Sequence, residues 1–202
     1  MTFGKIGRPP EDRFVRRCEI FKSVSPLILT VGVRRLSIRQ AARAASLSVG
    51  GLYHYFPTKR ELVLYGFQQE TLNRLCQNFI DEYGYLAALD PKQYLEKYSN
   101  FVLEQVAFVR PALLAAIELG VETFRKFLDS GLNLITARFT NIARSISPEI
   151  STESIGHLER SLKRVILGAA LDKEITPAAL RSEIFSIFAI YTGLHSVSEF
   201  SA

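Results

Sequence analysis

Residues 36–59, LSIRQAARAASLSVGGLYHYFPTK, constrain the fold more tightly than any other stretch of the chain. Ser37 with Gln40 three residues on has the spacing of a capping box that opens a helix, and Thr58 with Glu61 repeats it at the start of a later one. Between the two caps lie a helix of small residues, a short turn and a second helix. Ile38, Ala41, Ala42 and Ala45 fall on one face of the first, small enough to admit a neighbour at close range and a steep angle. Leu47, Leu52 and Phe56 supply the matching apolar face of the second. Outward this leaves Val49, Gly50, Gly51, Tyr53, His54 and Tyr55, a surface with two phenols and no acid, suited to a phosphate-lined groove. The pattern is a helix-turn-helix whose second helix lies on nucleic acid.

Charge is placed unevenly in the same sense. Residues 1–60 hold twelve Lys or Arg against three Asp or Glu, and residues 61–202 hold thirteen against seventeen. A basic N-terminal segment on a mildly acidic body is the electrostatic footprint of a DNA-binding domain attached to a regulatory one. A basic run alone is as often a solvated face. Here it coincides with the helix-turn-helix.

The second helix has Ser48 as its cap, no acid in its first turn and glycines at 50 and 51, which leaves its partly positive amides open to phosphate oxygens. A glycine costs up to about 1 kcal/mol of helix propensity. Close backbone approach to a ligand would offset that cost; relief of crowding against the first helix of the chain is the competing reading. Lys59 sets a cation at the positive end of the next helix, an unfavourable position unless an anion sits there. Arg39 carries the planar fork that fits guanine O6 and N7, whereas Val49 offers only apolar contact, as to a thymine methyl. His54 fits two roles equally, donation to phosphate or packing against the first helix.

The string Leu52-Tyr53-His54-Tyr55-Phe56, followed by Thr58-Lys59-Arg60-Glu61-Leu62 and set at its distance after Ser37-Ile38-Arg39, resembles the TetR family of transcriptional regulators, without a gap over residues 36–62. The resemblance implies an all-α fold, with an N-terminal three-helix DNA-binding domain at 1–60 and a helical effector-binding and dimerisation domain at 61–202. It implies a homodimeric repressor that leaves a near-palindromic, double-stranded operator when a small-molecule effector binds. By the same resemblance, Ser37, Arg39, Val49 and Gly50 face bases, while Gly51, Tyr53, Tyr55 and Lys59 hold the phosphate backbone, with His54 a further phosphate candidate. Two residues depart from the family pattern. Ser46 stands where a turn glycine is usual and must take a left-handed or distorted conformation. Pro26 falls inside the first helix, where it either kinks the chain as an interior proline or, with Ser25 as a new N-cap, breaks the helix in two.

With 202 residues, 48% of them hydrophobic, the chain can bury a substantial core. Its longest apolar, uncharged stretch, residues 184–198, is shorter than the ~18 to 20 residues of a membrane span. The basic N-terminus lacks the apolar run of a secretion signal, so a cytoplasmic protein without membrane contact is expected. Cys18 and Cys76 have no Cys or His at metal-ligand spacing and read as buried thiols, a redox switch being the lesser reading. No metal or cofactor is expected.

Residues 2–9 form an irregular basic arm, and the first helix should start near Pro10 or Glu11 and run to Gly32. The helix after Thr58 should continue unbroken through Leu62, Tyr65, Leu72, Leu75, Phe79 and Ile80 as a mechanical link between domains. Asp90-Pro91 caps a helix that Arg110-Pro111 should end. Helical spacing resumes over 113–127 and 132–146, with Gly120 and Gly131 as interruptions and Pro148 as a stop. Ile155, Leu158, Leu162, Val165, Ile166 and Ala169 form one stripe, and after the Thr176-Pro177 cap Leu180, Ile184, Ile187, Phe188, Tyr191, Leu194 and His195 form another.

In the second domain Tyr94, Tyr98, Phe101, Phe108, Phe124, Phe127 and Phe139 can line a cavity, with Gln105, Asn133 and Thr136 as polar partners, although aromatic stripes are more often plain core. The effector pocket is therefore sought at Tyr98, Phe101, Gln105, Phe108, Phe124, Phe127 and Phe139, for an apolar or aromatic ligand. An anionic acid remains open if Arg138 points inward. Resemblance to the family assigns the last two helices to a four-helix interface across a twofold axis, at Leu158, Leu162, Ile166, Ile184, Phe188, Tyr191 and His195. An enzyme would have to be built from His157, His195, Glu153, Glu118 and Glu122, but phosphate-loop, dinucleotide and nucleophile-elbow signatures are absent and none is expected. An architectural DNA-binding protein without an effector is the other alternative.

Overall fold

The computed structural model describes residues 12–126, 128, 132–172 and 174–193, apart from the Leu134 side chain. Eleven α-helices and no strand occur among them: α1 (Arg13–Arg35), α2 (Ile38–Ala44), α3 (Val49–Tyr55), α4 (Lys59–Val63), α5 (Gln69–Tyr83), α6 (Leu86–Leu89), α7 (Pro91–Leu119), α8 (Val121–Lys126), α9 (Leu132–Ile146), α10 (Thr152–Leu171) and α11 (Pro177–Thr192). None is long and apolar enough to cross a membrane. Side-chain caps fix most of the starts, because a Ser, Thr or Asp oxygen takes one of the orphan amides of the first turn. Asp12, Ser37, Ser48, Thr58, Asp90, Ser151 and Thr176 all do so. The anticipated bounds of α9 and the capped start of α11 are the observed ones. The N-terminal arm, a helix start at Pro10 or Glu11, Gly131, Leu194 and His195 lie outside the described residues.

Three helix boundaries differ from expectation. Pro26 does not break α1: Ser25 turns its hydroxyl back to the Phe21 carbonyl instead of capping a new helix. Pro26 and Lys22, whose carbonyl loses its donor, are both exposed, so water can replace the missing bond. The irregular residue of α1 is Gly32, at φ 74° and ψ 169°. Pro111 likewise does not end its helix. The helix α7 runs on to Leu119, because Ala112, Leu113, Ala115 and Ala116 beyond the proline are all buried, offsetting its cost of about 3 kcal/mol. Finally, the single helix expected after Thr58 is two, α4 and α5, joined by a 3-10 turn at Tyr65–Phe67. Gly66 in that turn lies where a Cβ would come within 2.8 Å of the Phe21 ring and 2.9 Å of the Phe108 carbonyl, a site that only glycine fits.

Two principal apolar cores result. One gathers Ile20, Phe21, Val24 and Ile28 of α1 with Leu52, Phe56 and residues 62–65, and takes Ala112, Ala115 and Ala116 from α7. The other gathers Phe79 of α5, Tyr98 and Val102 of α7, Phe139 of α9, and the inward faces of α10 and α11. The helix α7 is a member of both. It is the common wall of the molecule.

Candidate nucleic-acid interface

The turn between α2 and α3 closes as a Schellman motif: Leu47 N–H bonds to the Ala42 carbonyl at 2.9 Å and Ser46 N–H to that of Arg43 at 3.1 Å. This geometry demands a left-handed residue, and Ser46 supplies it at φ 55°, as its place in the sequence required. The Ser37 capping box is formed in both directions, with Gln40 N–H on the Ser37 hydroxyl and Ser37 N–H on the Gln40 side chain. Ala41, Ala42, Ala45, Leu52 and Phe56 are buried, and Ile38 and Leu47 half-buried. The apolar side of the motif is thus fully used within the chain.

The opposite side is open. Ser37, Arg39, Val49 and Gly50 are exposed, Val49 at 38%, and so are Tyr53, at 44%, and His54; Gly51, Tyr55 and Lys59 are half-buried. A Cβ on Gly50 would touch nothing nearer than the Ser48 hydroxyl at 4.0 Å, and one on Gly51 would meet only Ser48 and Leu47. Neither glycine faces α1, so crowding there does not account for them. The His54 ring stands edge-on to Tyr55 at 5.2 Å, and it is the His54 carbonyl, not the ring, that ties to α1, through the Arg13 guanidinium at 2.9 Å.

Links between this surface and the rest of the molecule were not legible as such. The Glu118 carboxylate at the end of α7 accepts from the Val33 N–H, and a Cβ at Gly32 would lie 2.6 Å from it. Arg60 of α4 donates to the Thr123 hydroxyl of α8 at 2.8 Å. Arg74 of α5 pairs with Asp12 and lies 4.2 Å from the centre of the Phe14 ring. The guanidinium of Arg17 is placed over both Phe56 and Tyr65, at 4.8 and 4.5 Å. In the sequence Glu118 stands out only as one of the carboxylates from which an enzyme would have to be built. The glycine at 32 was the local signal that another group approaches there.

The effector candidates are dispersed. Tyr98 and Phe139 are fully buried with their rings 4.5 Å apart, and the Tyr98 hydroxyl donates to the Ile135 carbonyl, which makes both core residues. Phe108 packs on Phe21 at 5.1 Å, in the joint with α1. Phe124 packs on the small cluster of Leu72, Val109, Leu113 and Ala170. Tyr94 is also buried, Thr136 is spent on the Leu132 carbonyl, and Asn133 is exposed. Phe127 lies outside the described residues. Phe101 and Gln105 meet at a groove of about 380 Å³ between α5 and α7 that Phe79, Tyr83, Asn100 and Glu104 also line. Arg138 lines a different groove, between α5 and α9.

The presumed interface residues are largely covered within the chain. Leu158, Leu162, Ile166, Ile184 and Phe188 are 0 to 3% exposed because α10 and α11 press them against α7 and α9 of their own chain. An apolar stripe records that a face is covered, not by whom. Tyr191 stays half-buried, stacked on His157 and 3.4 Å from the Ser161 hydroxyl.

A capped helix-turn-helix with its polar face open, in a basic domain braced by a larger helical body, defines a DNA-binding regulator. The family model of bacterial regulatory proteins, tetR family, matches residues 26–65, from the middle of α1 through α4. That match places the helix-turn-helix segment of the chain with the DNA-binding segment of the tetR family of bacterial regulatory proteins. Its fold is similar to that of the TetR-family regulator PfmR from Thermus thermophilus, at 19% identity over 88% of this chain and 99% of that one, with a TM-score of 0.54. It is also similar to TetR-family regulators from Rhodococcus sp. (20% identity, 88% and 98% of the chains, TM-score 0.57) and Mesorhizobium loti (14%, 91% and 98%, 0.55). At such identities the likeness describes fold alone. None of the curated proteins matches the sequence significantly.

Proposed function

We propose that the chain is a homodimeric repressor that binds a near-palindromic operator through α2 and α3 and releases it when a small molecule occupies the α5–α7 groove. The observation that carries this reading is the position of that groove. One wall, α5, is joined to α4 through the tight turn at Gly66, and the other, α7, holds α1 through Ala112, Ala115 and Ala116 and through Glu118. A ligand that prefers one spacing of α5 and α7 therefore biases the seat of the DNA-binding domain, which is the differential affinity that a two-state switch requires. In this reading Ser37, Arg39, Val49 and Gly50 face bases, and Gly51, Tyr53, His54, Tyr55 and Lys59 meet phosphates. The outer faces of α10 and α11, where Ile190 is 73% exposed and Leu171 is also exposed, meet the second copy.

Selection from random duplexes followed by fluorescence anisotropy tests the proposal. Half-sites about one helical turn apart, ~34 Å, or a multiple of it are expected. Lys59→Ala should weaken binding to every sequence and lower the salt slope by about one unit per lost phosphate contact, whereas Arg39→Ala should relax one base preference by about 1 to 3 kcal/mol. Reversed outcomes would exchange the two roles. A dimer that binds its selected duplex, yet is released by no compound, is the effector-free architectural protein instead.

A further inference from the structure

The α5–α7 groove carries a chemical signature that the apolar reading of the sequence did not contain. Phe79 and Phe101 lie 4.9 Å apart at an angle of 34° and offer ring faces. Gln105, only 7% exposed, lines the groove, and its amide oxygen has no hydrogen-bond partner; the buried oxygen of Asn100 has none either. A buried polar group without a partner is unfavourable, so the pair favours a ligand that brings polar atoms to it. An amide can turn either end outward, and the charges around it decide which. Those charges are Glu82 and Glu104 against Lys97, whose ammonium is held 5.5 Å from the centre of the Tyr83 ring. The Tyr83 phenol is pushed up chiefly by its hydrogen bond to Glu82, with a smaller contribution from the charge of Glu104. Arg138, the cation that would have favoured an acid, lines the other side of α5.

We propose that this groove binds an aromatic organic cation, a protonated amine whose rings lie on Phe79 and Phe101 and whose N–H groups meet Gln105, Asn100 and the Glu104 carboxylate. The proposal deepens the effector reading above by naming the class of ligand, and it rests on the groove being that site. Ring faces and carboxylates both favour a cation, while a carboxylate ligand would be set against Glu82 and Glu104 without a buried counter-charge.

The test is calorimetric titration of the full-length protein with three probes that share a 2-(naphthalen-2-yl)ethyl skeleton: 2-(naphthalen-2-yl)ethylamine, 2-(naphthalen-2-yl)ethanol and 3-(naphthalen-2-yl)propionate. The amine should bind at least about tenfold more tightly than the alcohol, and the propionate least of all. Glu104→Gln, an exposed change that leaves folding intact, and Gln105→Leu should each weaken the amine by about fivefold or more, while Arg138→Ala should not. Tighter binding of the propionate, no binding of any probe, or indifference of the amine to Glu104→Gln overturns the proposal. Operator affinity measured in parallel separates the two readings. Amine binding that leaves DNA affinity unchanged keeps the site and overturns ligand-controlled release, whereas release by an anion acting elsewhere keeps regulation and overturns the cation site.

Discussion

Two residues of the helix-turn-helix pull apart what the fold needs from what the DNA needs. Ser46 holds a left-handed conformation that costs an L-residue about 1 to 2 kcal/mol and costs glycine almost nothing. Ser46→Gly should therefore raise stability by about 1 kcal/mol, read as a higher urea midpoint at an unchanged slope, and DNA affinity should stay as it was. Gly50 is the opposite case. Its Cβ space is empty, so Gly50→Ala should leave stability equal or up to about 1 kcal/mol higher through helix propensity. If its backbone approaches a base or phosphate, the same substitution should cut operator affinity by about tenfold or more. A variant that is more stable and binds equally well would remove Gly50 from the interface.

At the scale of elements, the caps were legible because they are local: an oxygen and an amide three residues apart need no other part of the chain. Breaks were not legible, because distant partners set them. Pro26 and Pro111 pass within helices whose buried faces outweigh them, whereas Gly66, an unremarked residue in an apparently continuous pattern, ends α4 because Phe21 and the Phe108 carbonyl press on it. Gly66→Ala should cost about 1 to 3 kcal/mol, since one neighbour is backbone and cannot rotate away. The alternating stripes of α10 and α11 gave the helices correctly, and most of each stripe is covered within the chain. Phe188→Glu should consequently unfold the chain, while Ile190→Glu should leave it folded and weaken self-association. Sedimentation equilibrium beside circular dichroism distinguishes the two, and an unaltered dimer in Ile190→Glu would move the interface off α11.

For the molecule as a whole, the buried titratable groups set an upper limit on pH. Burial pushes the Cys76 thiol up to about 11 and also raises Cys18, Tyr65, Tyr94 and Tyr98. Each group is protonated in the folded chain at a pH where it has begun to ionise in the unfolded one, from the ordinary 9.0 of Cys and 10.0 of Tyr. Their contribution is thus complete below pH ~9 and falls above it, that of Cys76 being lost as the pH rises through about 11. Urea midpoints should be level from pH 7 to 8.5 and fall steadily above 9; a level course to pH 11 would mean that these groups meet water in the folded state.

The alanines of α7 that complete the N-terminal core also limit how the protein can be taken apart. A cassette ending at Tyr65 leaves behind Ala112, Ala115 and Ala116, about fifty residues further along the chain, and exposes the apolar wall of α1 that they cover. Grafting the DNA-reading half onto another sensor therefore transplants an open seam. The hybrid will read its operator only where the recipient's counterpart of α7 offers equally small residues at those three places.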